Sequence, residues 1–121
     1  MNYMDQYEDR EDPRYHGFFN IYISVAEIDK SLEAWVEDVS ITGLRLSCDY
    51  PINALKVDAE VSFCVDNAFG LGSFNFEGKV VHSYDQANLA VYGIKIIDMD
   101  PKATYQWGRI VAHVRRKHRK V

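Results

Sequence analysis

The sequence predicts a mainly β fold: a six-stranded antiparallel β-barrel with one C-terminal α-helix. Three observations lead there. Six short segments alternate apolar and polar residues with the period of two that a half-buried strand requires. Turn-forming residues separate them at regular spacing, which suits a small barrel. After Asp100 the apolar period lengthens to that of a helix.

The elements follow in order. From Gly17 onward, Phe19, Ile21, Ile23 and Val25 alternate with Asn20, Tyr22 and Ser24, giving a first strand. Asp29-Lys30-Ser31 reads as a turn, and residues 32–39 as a second strand that makes a hairpin with the first. Gly43 opens a third strand with Leu44, Leu46 and Cys48 on one face. Pro51, within Asp49-Tyr50-Pro51-Ile52-Asn53, ends it, because proline cannot donate to a central ladder. Residues 57–65 alternate most clearly of all and predict a fourth strand beginning at Val57. Asn67-Ala68-Phe69-Gly70 turns the chain. Residues 74–83 read as a fifth strand, Gln86-Ala87-Asn88 as a turn, and residues 89–97 as a sixth strand.

A helix is expected over about residues 100–118. Asp100 can cap it, and Pro101 fits its first turn, where a missing N–H leaves no bond unmade. Ala103, Trp107, Ile110, Val111 and Val114 recur at helical spacing and form one apolar stripe. The basic residues Arg115, Arg116 and Lys117 fall in the last turn, where cations favour the helix dipole.

The chain has 121 residues, which suits one domain able to bury a core without metals or disulfides. Its 47% hydrophobic content argues against a disordered chain. No apolar run approaches the ~18 residues of a membrane helix, and the start lacks the basic and apolar stretches of a signal peptide. A cytoplasmic location is expected, with Cys48 and Cys64 as buried, reduced thiols.

The net charge of −4 hides a polarity, so the two ends are read separately. Asp5, Glu8, Asp9, Glu11 and Asp12 crowd one end; Arg115 to Lys120 crowd the other. Residues 1–16 are polar and aperiodic, as expected of a flexible arm, and residues 17–121 form the barrel with its helix.

Two motifs stand out. Arg10-Glu11-Asp12-Pro13-Arg14 is an R-x-x-x-R in that arm. Pro13 keeps it from regular helix. A guanidinium forks onto phosphate, stacks on flat rings and matches the O6/N7 edge of guanine. Asp38-Val39-Ser40-Ile41-Thr42-Gly43 is a D-x-S-x-x-G at the end of the second strand. Asp38 can accept from N–H groups, Ser40 can donate, and Gly43 allows close backbone approach or positive φ. The plain alternatives are an Asx-type turn between strands and arginines solvated among neighbouring acids.

In this order, followed by Glu77-Gly78-Lys79-Val80-Val81, Tyr92-Gly93-Ile94-Lys95-Ile96 and a terminal helix, the motifs resemble those of the PilZ domain family. The resemblance runs from Arg10 to the helix. It implies a split-barrel fold and a receptor for cyclic di-GMP that signals to an effector protein. Arg10, Arg14, Asp38, Ser40 and Gly43 would bind the ligand, with Asp9 and His82 as additional contacts. PilZ chains often have a basic residue where Asp9 stands and a tryptophan where His82 stands. The surrounding acids predict weaker or more salt-sensitive binding than in a basic-armed relative, and one ligand rather than a stacked pair. His82 is expected on the sheet surface.

The alternative expectation is a PilZ-like protein-interaction adaptor with weak or no nucleotide binding, of the kind associated with type IV pili or motility. Nucleic-acid binding through the basic helix end ranks last, since aromatics for base stacking are missing there. No catalytic residue, metal site, cofactor or membrane insertion is expected. His16, His82, His113 and His118 lack metal-ligand spacing, and no nucleophile elbow or P-loop is present.

Overall fold

The computed structural model describes residues 13–25 and 30–117. Six strands form a closed barrel: β1 (Tyr15–Val25), β2 (Lys30–Ser40), β3 (Gly43–Cys48), β4 (Glu60–Val65), β5 (Phe74–Gln86) and β6 (Leu89–Asp98). The helix α1 (Pro101–Lys117) follows. Neighbours run in the order β1-β2-β3-β6-β5-β4, and every pair is antiparallel. The architecture is the six-stranded antiparallel barrel with a C-terminal helix that the alternation predicts.

The barrel is two ribbons, β1-β2-β3 and β4-β5-β6, joined along two seams. At β3–β6 the register runs from Gly43↔Lys95 to Cys48↔Ala90. At β1–β4 it holds only Tyr22↔Cys64, Ile23↔Phe63 and Ser24↔Ser62. The connection over residues 49–59 carries the chain from one ribbon to the other. It contributes Ile52 and Leu55 to the core, and the Ile52 N–H donates to the Tyr92 hydroxyl at 3.0 Å.

Alternation places Ile21, Ile23, Val36, Leu44, Leu46, Phe63, Val65, Val80 and Ile94 in the core. Burying each such side chain contributes about 1.5–3 kcal/mol. The fourth strand is shorter than its pattern suggests: it starts at Glu60, not Val57. Asp58 adopts a left-handed φ of 74°, which ends regular pairing, and Val57 is exposed. The segment still bonds to β5, because the Asp58 N–H donates to Val80 O and the Val80 N–H to Ala59 O. β5 runs three residues further than expected, to Gln86. Ala87 and Asn88 then turn with φ of 50° and 67° between paired Gln86 and Leu89. Two left-handed residues match the right-handed strand twist of a tight hairpin.

Asp100 caps α1: its Oδ1 accepts from the Ala103 N–H at 2.7 Å. All five residues of the apolar stripe are buried, and the helix packs on β1, β5 and β2. Trp107 lies at the centre of this contact. Its ring stands 6.5 Å from Phe19, 6.5 Å from Phe74 and 6.0 Å from Phe76, and its indole N–H donates to Ser40 O at 3.0 Å. Among the described residues no helix is long and apolar enough to cross a membrane.

Cys48 is buried and Cys64 half-buried, and both are free thiols. Burial, then the negative charge of Asp49, pushes the Cys48 thiol up to about 11. Its neutral form therefore supports folding below pH ~9, and that contribution is lost as pH climbs toward ~11.

Two outcomes are expected. In urea titrations, Trp107→Ala should lose about 3–5 kcal/mol with an unchanged slope. Trp107→Phe should lose less but still about 1–2 kcal/mol, because it strands the Ser40 carbonyl. Iodoacetamide at pH 8 should label Cys48 slowly in the folded protein and quickly in urea, as read by peptide mass spectrometry.

Candidate functional site

A break in alternation creates the site. On β2, Ala34 and Val36 face the core, so strict alternation would send Asp38 there too. The register shifts between Val36 and Asp38, and Glu37 is the extra residue of a β-bulge. After the bulge Val39 is the core residue, and Asp38 sits opposite Arg45 of β3.

Asp38 is only 1% exposed, so its carboxylate needs partners. Two arginines supply them. Arg14 Nη1 donates to Oδ1 at 2.9 Å, and Arg45 Nη2 lies 3.0 Å from Oδ2. Arg14 stands just before β1, whose His16 pairs with Asp38. Arg45 also meets Glu37, with Nε 3.3 Å from Oε1, as a charge contact without a formed hydrogen bond. Burial alone would weaken the hold of Arg45 on its proton. Asp38, then Tyr84 and Glu37, outweigh that, and a hydrogen bond with Tyr84 adds to it. The guanidinium is therefore held more firmly charged than usual.

The register extends this arrangement across the barrel wall. Arg45 pairs with Gly93 of β6, and Gly93 with His82 of β5. A Cβ on Gly93 would collide with the His82 imidazole, so glycine lets the ring of this exposed residue lie across β6. Beside Arg45 a hollow of about 330 Å³ is lined by His16, Phe18, Glu37, Gln86 and Leu89 among others.

The β2–β3 turn forms the rim. Ser40 is buried, pairs with Gly43, and its hydroxyl donates to Gly43 O at 3.4 Å. Gly43 has no positive φ; its role is close approach. A Cβ there would lie 2.5 Å from the Ile94 carbonyl, a backbone atom that cannot swing aside. Arg14, Asp38, Ser40 and Gly43 thus gather at one end of the β1–β2–β3 ribbon, while His82 stands further across the wall. Asp9 and Arg10 lie outside the described residues.

Sequence reasoning did not single out Arg45, Tyr84 or Gly93. Arg45 was within reach: a two-residue turn at Ile41-Thr42 pairs Ser40 with Gly43 and therefore Asp38 with Arg45. Gly93 and Tyr84 reach Arg45 only through the β3–β6 pairing, which no local pattern encodes. Among the described residues no three His, Cys, Asp or Glu side chains are grouped to hold a metal.

The PilZ domain family model matches residues 8–119. Solved structures agree in fold. The PilZ domain of YcgR from Escherichia coli, solved with c-di-GMP, is similar with a TM-score of 0.75 and 15% identity, over 90% of this chain and 93% of that one. The K. pneumonia MrkH–c-di-GMP complex gives 0.70 and 13% identity, over 86% and 50%. The Bacillus subtilis inhibitor of motility (MotI/DgrA) gives 0.71 and 8%, over 90% and 50%. The chain spans about half the length of the last two. No curated protein matches it in sequence.

The shared carboxylate makes the two arginines unequal to it in effect. Asp38→Ala removes the carboxylate that both cations share and should cost about 2 kcal/mol in urea unfolding, below the value for fully buried pairs because Arg45 keeps Glu37 and Tyr84 and the arginines can turn to solvent. Arg14→Ala leaves Asp38 paired with Arg45 and should cost less than about 1 kcal/mol.

Proposed function

The chain belongs to the PilZ domain family, and from that premise we propose that it is a cytoplasmic, non-catalytic receptor for cyclic di-GMP that signals to a partner protein. The observation that carries the reading is the buried Asp38 carboxylate holding two guanidinium groups side by side at the barrel surface. Cyclic di-GMP presents two phosphates and two guanines. A guanidinium has five N–H donors, and Asp38 engages Nη1 of Arg14 and Nη2 of Arg45, so other donors remain for phosphate oxygens or a guanine edge. Preorganisation matters here. An arginine already fixed by a carboxylate loses less rotamer freedom on binding than a solvated one.

In this reading Ser40 and Gly43 form the rim against which the ligand rests. Arg10, carried on the N-terminal arm, closes over it and adds a further phosphate contact. Arm residues that make contacts only in the bound state couple ligand to partner. The acids Glu8, Asp9, Glu11 and Asp12 oppose an anionic ligand, so binding is weaker than the arginines alone would give and a single ligand is bound. The likeness of fold to PilZ domains solved with c-di-GMP supports the reading.

Isothermal calorimetry with cyclic di-GMP at low salt tests it. Saturable heat at about one ligand per chain is expected, with Arg14→Ala and Arg45→Ala each weakening binding at least about tenfold. Absence of saturable heat at high micromolar nucleotide would sink the proposal.

A further inference from the structure

Next to the arginine pair the same wall carries a surface of different chemistry. Phe18, Trp35 and Tyr50 are 60%, 54% and 55% exposed, and all three line one cleft of about 470 Å³. Trp35 stands between Asn20 and Ser47 across β1, β2 and β3. Phe18 lies where the β1 register shifts between His16 and Phe19, and Tyr50 follows β3. Single exposed apolar side chains are ordinary; three large aromatics gathered in one concavity mark a contact surface.

The polar groups of the cleft decide what it contacts. Glu33, Glu37 and Asp49 line it, and none of the described residues lining it is basic. Glu33 is held in place by Asn20 Nδ2 at 2.7 Å. Aromatic faces and carboxylates together favour a guanidinium, which stacks on an indole and forks onto a carboxylate. Of the three carboxylates, Glu37 also meets Arg45, whose Nε lies 3.3 Å from its Oε1. Glu33 and Asp49, which line this cleft and not the hollow beside Arg45, repel a nucleotide phosphate and so set the cleft apart from the arginine pair.

We propose that this cleft docks an arginine-bearing segment of a partner protein, with Trp35 as its anchor and Glu33, Glu37 and Asp49 as its charge complement. The inference does not rest on nucleotide binding.

Two-dimensional proton–nitrogen NMR of the full chain, titrated with a tetra-arginine amide, tests it without nucleotide. The Trp35 indole signal should shift saturably, together with the amides of Phe18 and Tyr50, while that of buried Trp107 stays still. Trp35→Ala removes an exposed side chain, so circular dichroism should report an intact fold. It should weaken binding about tenfold, the loss of a hot-spot aromatic. Asp49→Asn should weaken it severalfold and flatten its salt dependence. A tetra-glutamate peptide should leave the spectrum unchanged. Equal binding by wild type and Trp35→Ala would place the peptide on the acidic N-terminal segment and overturn the proposal. So would Trp35 shifts that follow protein concentration alone, which mean self-association, or shifts caused by cyclic di-GMP but not by the peptide.

Discussion

The Trp107 indole is where helix, barrel and site rim meet. Its ring is packed among Phe19 of β1 and Phe74 and Phe76 of β5, and its N–H reaches Ser40 O at the end of β2. Each contact alone tolerates some slack. Together they leave little, because a buried donor without its acceptor costs about 1–3 kcal/mol and the ring has no other cavity to fill. The helix is therefore bonded to Ser40, the residue that enters the β2–β3 turn, and that turn sets the register of Asp38 against Arg45. Dispersion and hydrophobic burial supply most of the energy; the single hydrogen bond supplies the position.

The arginine site illustrates a second economy. A carboxylate as buried as Asp38 is tolerable only when charged partners replace water. The bulge at Glu37 moves Asp38 off the core face, and cross-strand pairing delivers Arg45 to it. Arg14 arrives from the segment before β1. The contacts that satisfy buried Asp38 are thus the same ones that hold Arg14 and Arg45 side by side at the barrel surface.

Much of the fold was legible because burial imposes a period. Phe19, Ile21 and Ile23 read as a strand, and Ala103, Trp107, Ile110, Val111 and Val114 read as a helix face, since each pattern needs only local geometry. The pattern misled at Val57–Ala59, where alternation persists while the backbone at Asp58 turns left-handed. Alternation counts side-chain polarity and is blind to φ. The bulge at Glu37 was hidden for the same reason: inserting one residue changes which face is buried without changing which residues are polar. At the candidate site, Arg14, Asp38, Ser40 and Gly43 could be named from motif spacing. Arg45 needed the hairpin register, and Gly93 and Tyr84 needed the β3–β6 pairing between ribbons distant in sequence. Arg10 and Asp9 belong to a segment outside the described residues.

The β1–β4 seam, with its three paired positions, has a consequence for how the barrel fails. Every other pairing is longer or is stapled by a tight turn or by the helix. Closing the seam brings together strands separated in sequence by β2, β3 and the 49–59 connection, and that loop-closure cost is set against only three paired positions. It is the line along which the cylinder unrolls. An unrolled sheet has β1 and β4 as free edges, whose Ile23 and Phe63 would then lie beside unpaired N–H and C=O groups. Such edges pair as readily with another molecule as with each other. The closed shape thus hides an aggregation-prone surface, and the short seam sets how often that surface is shown.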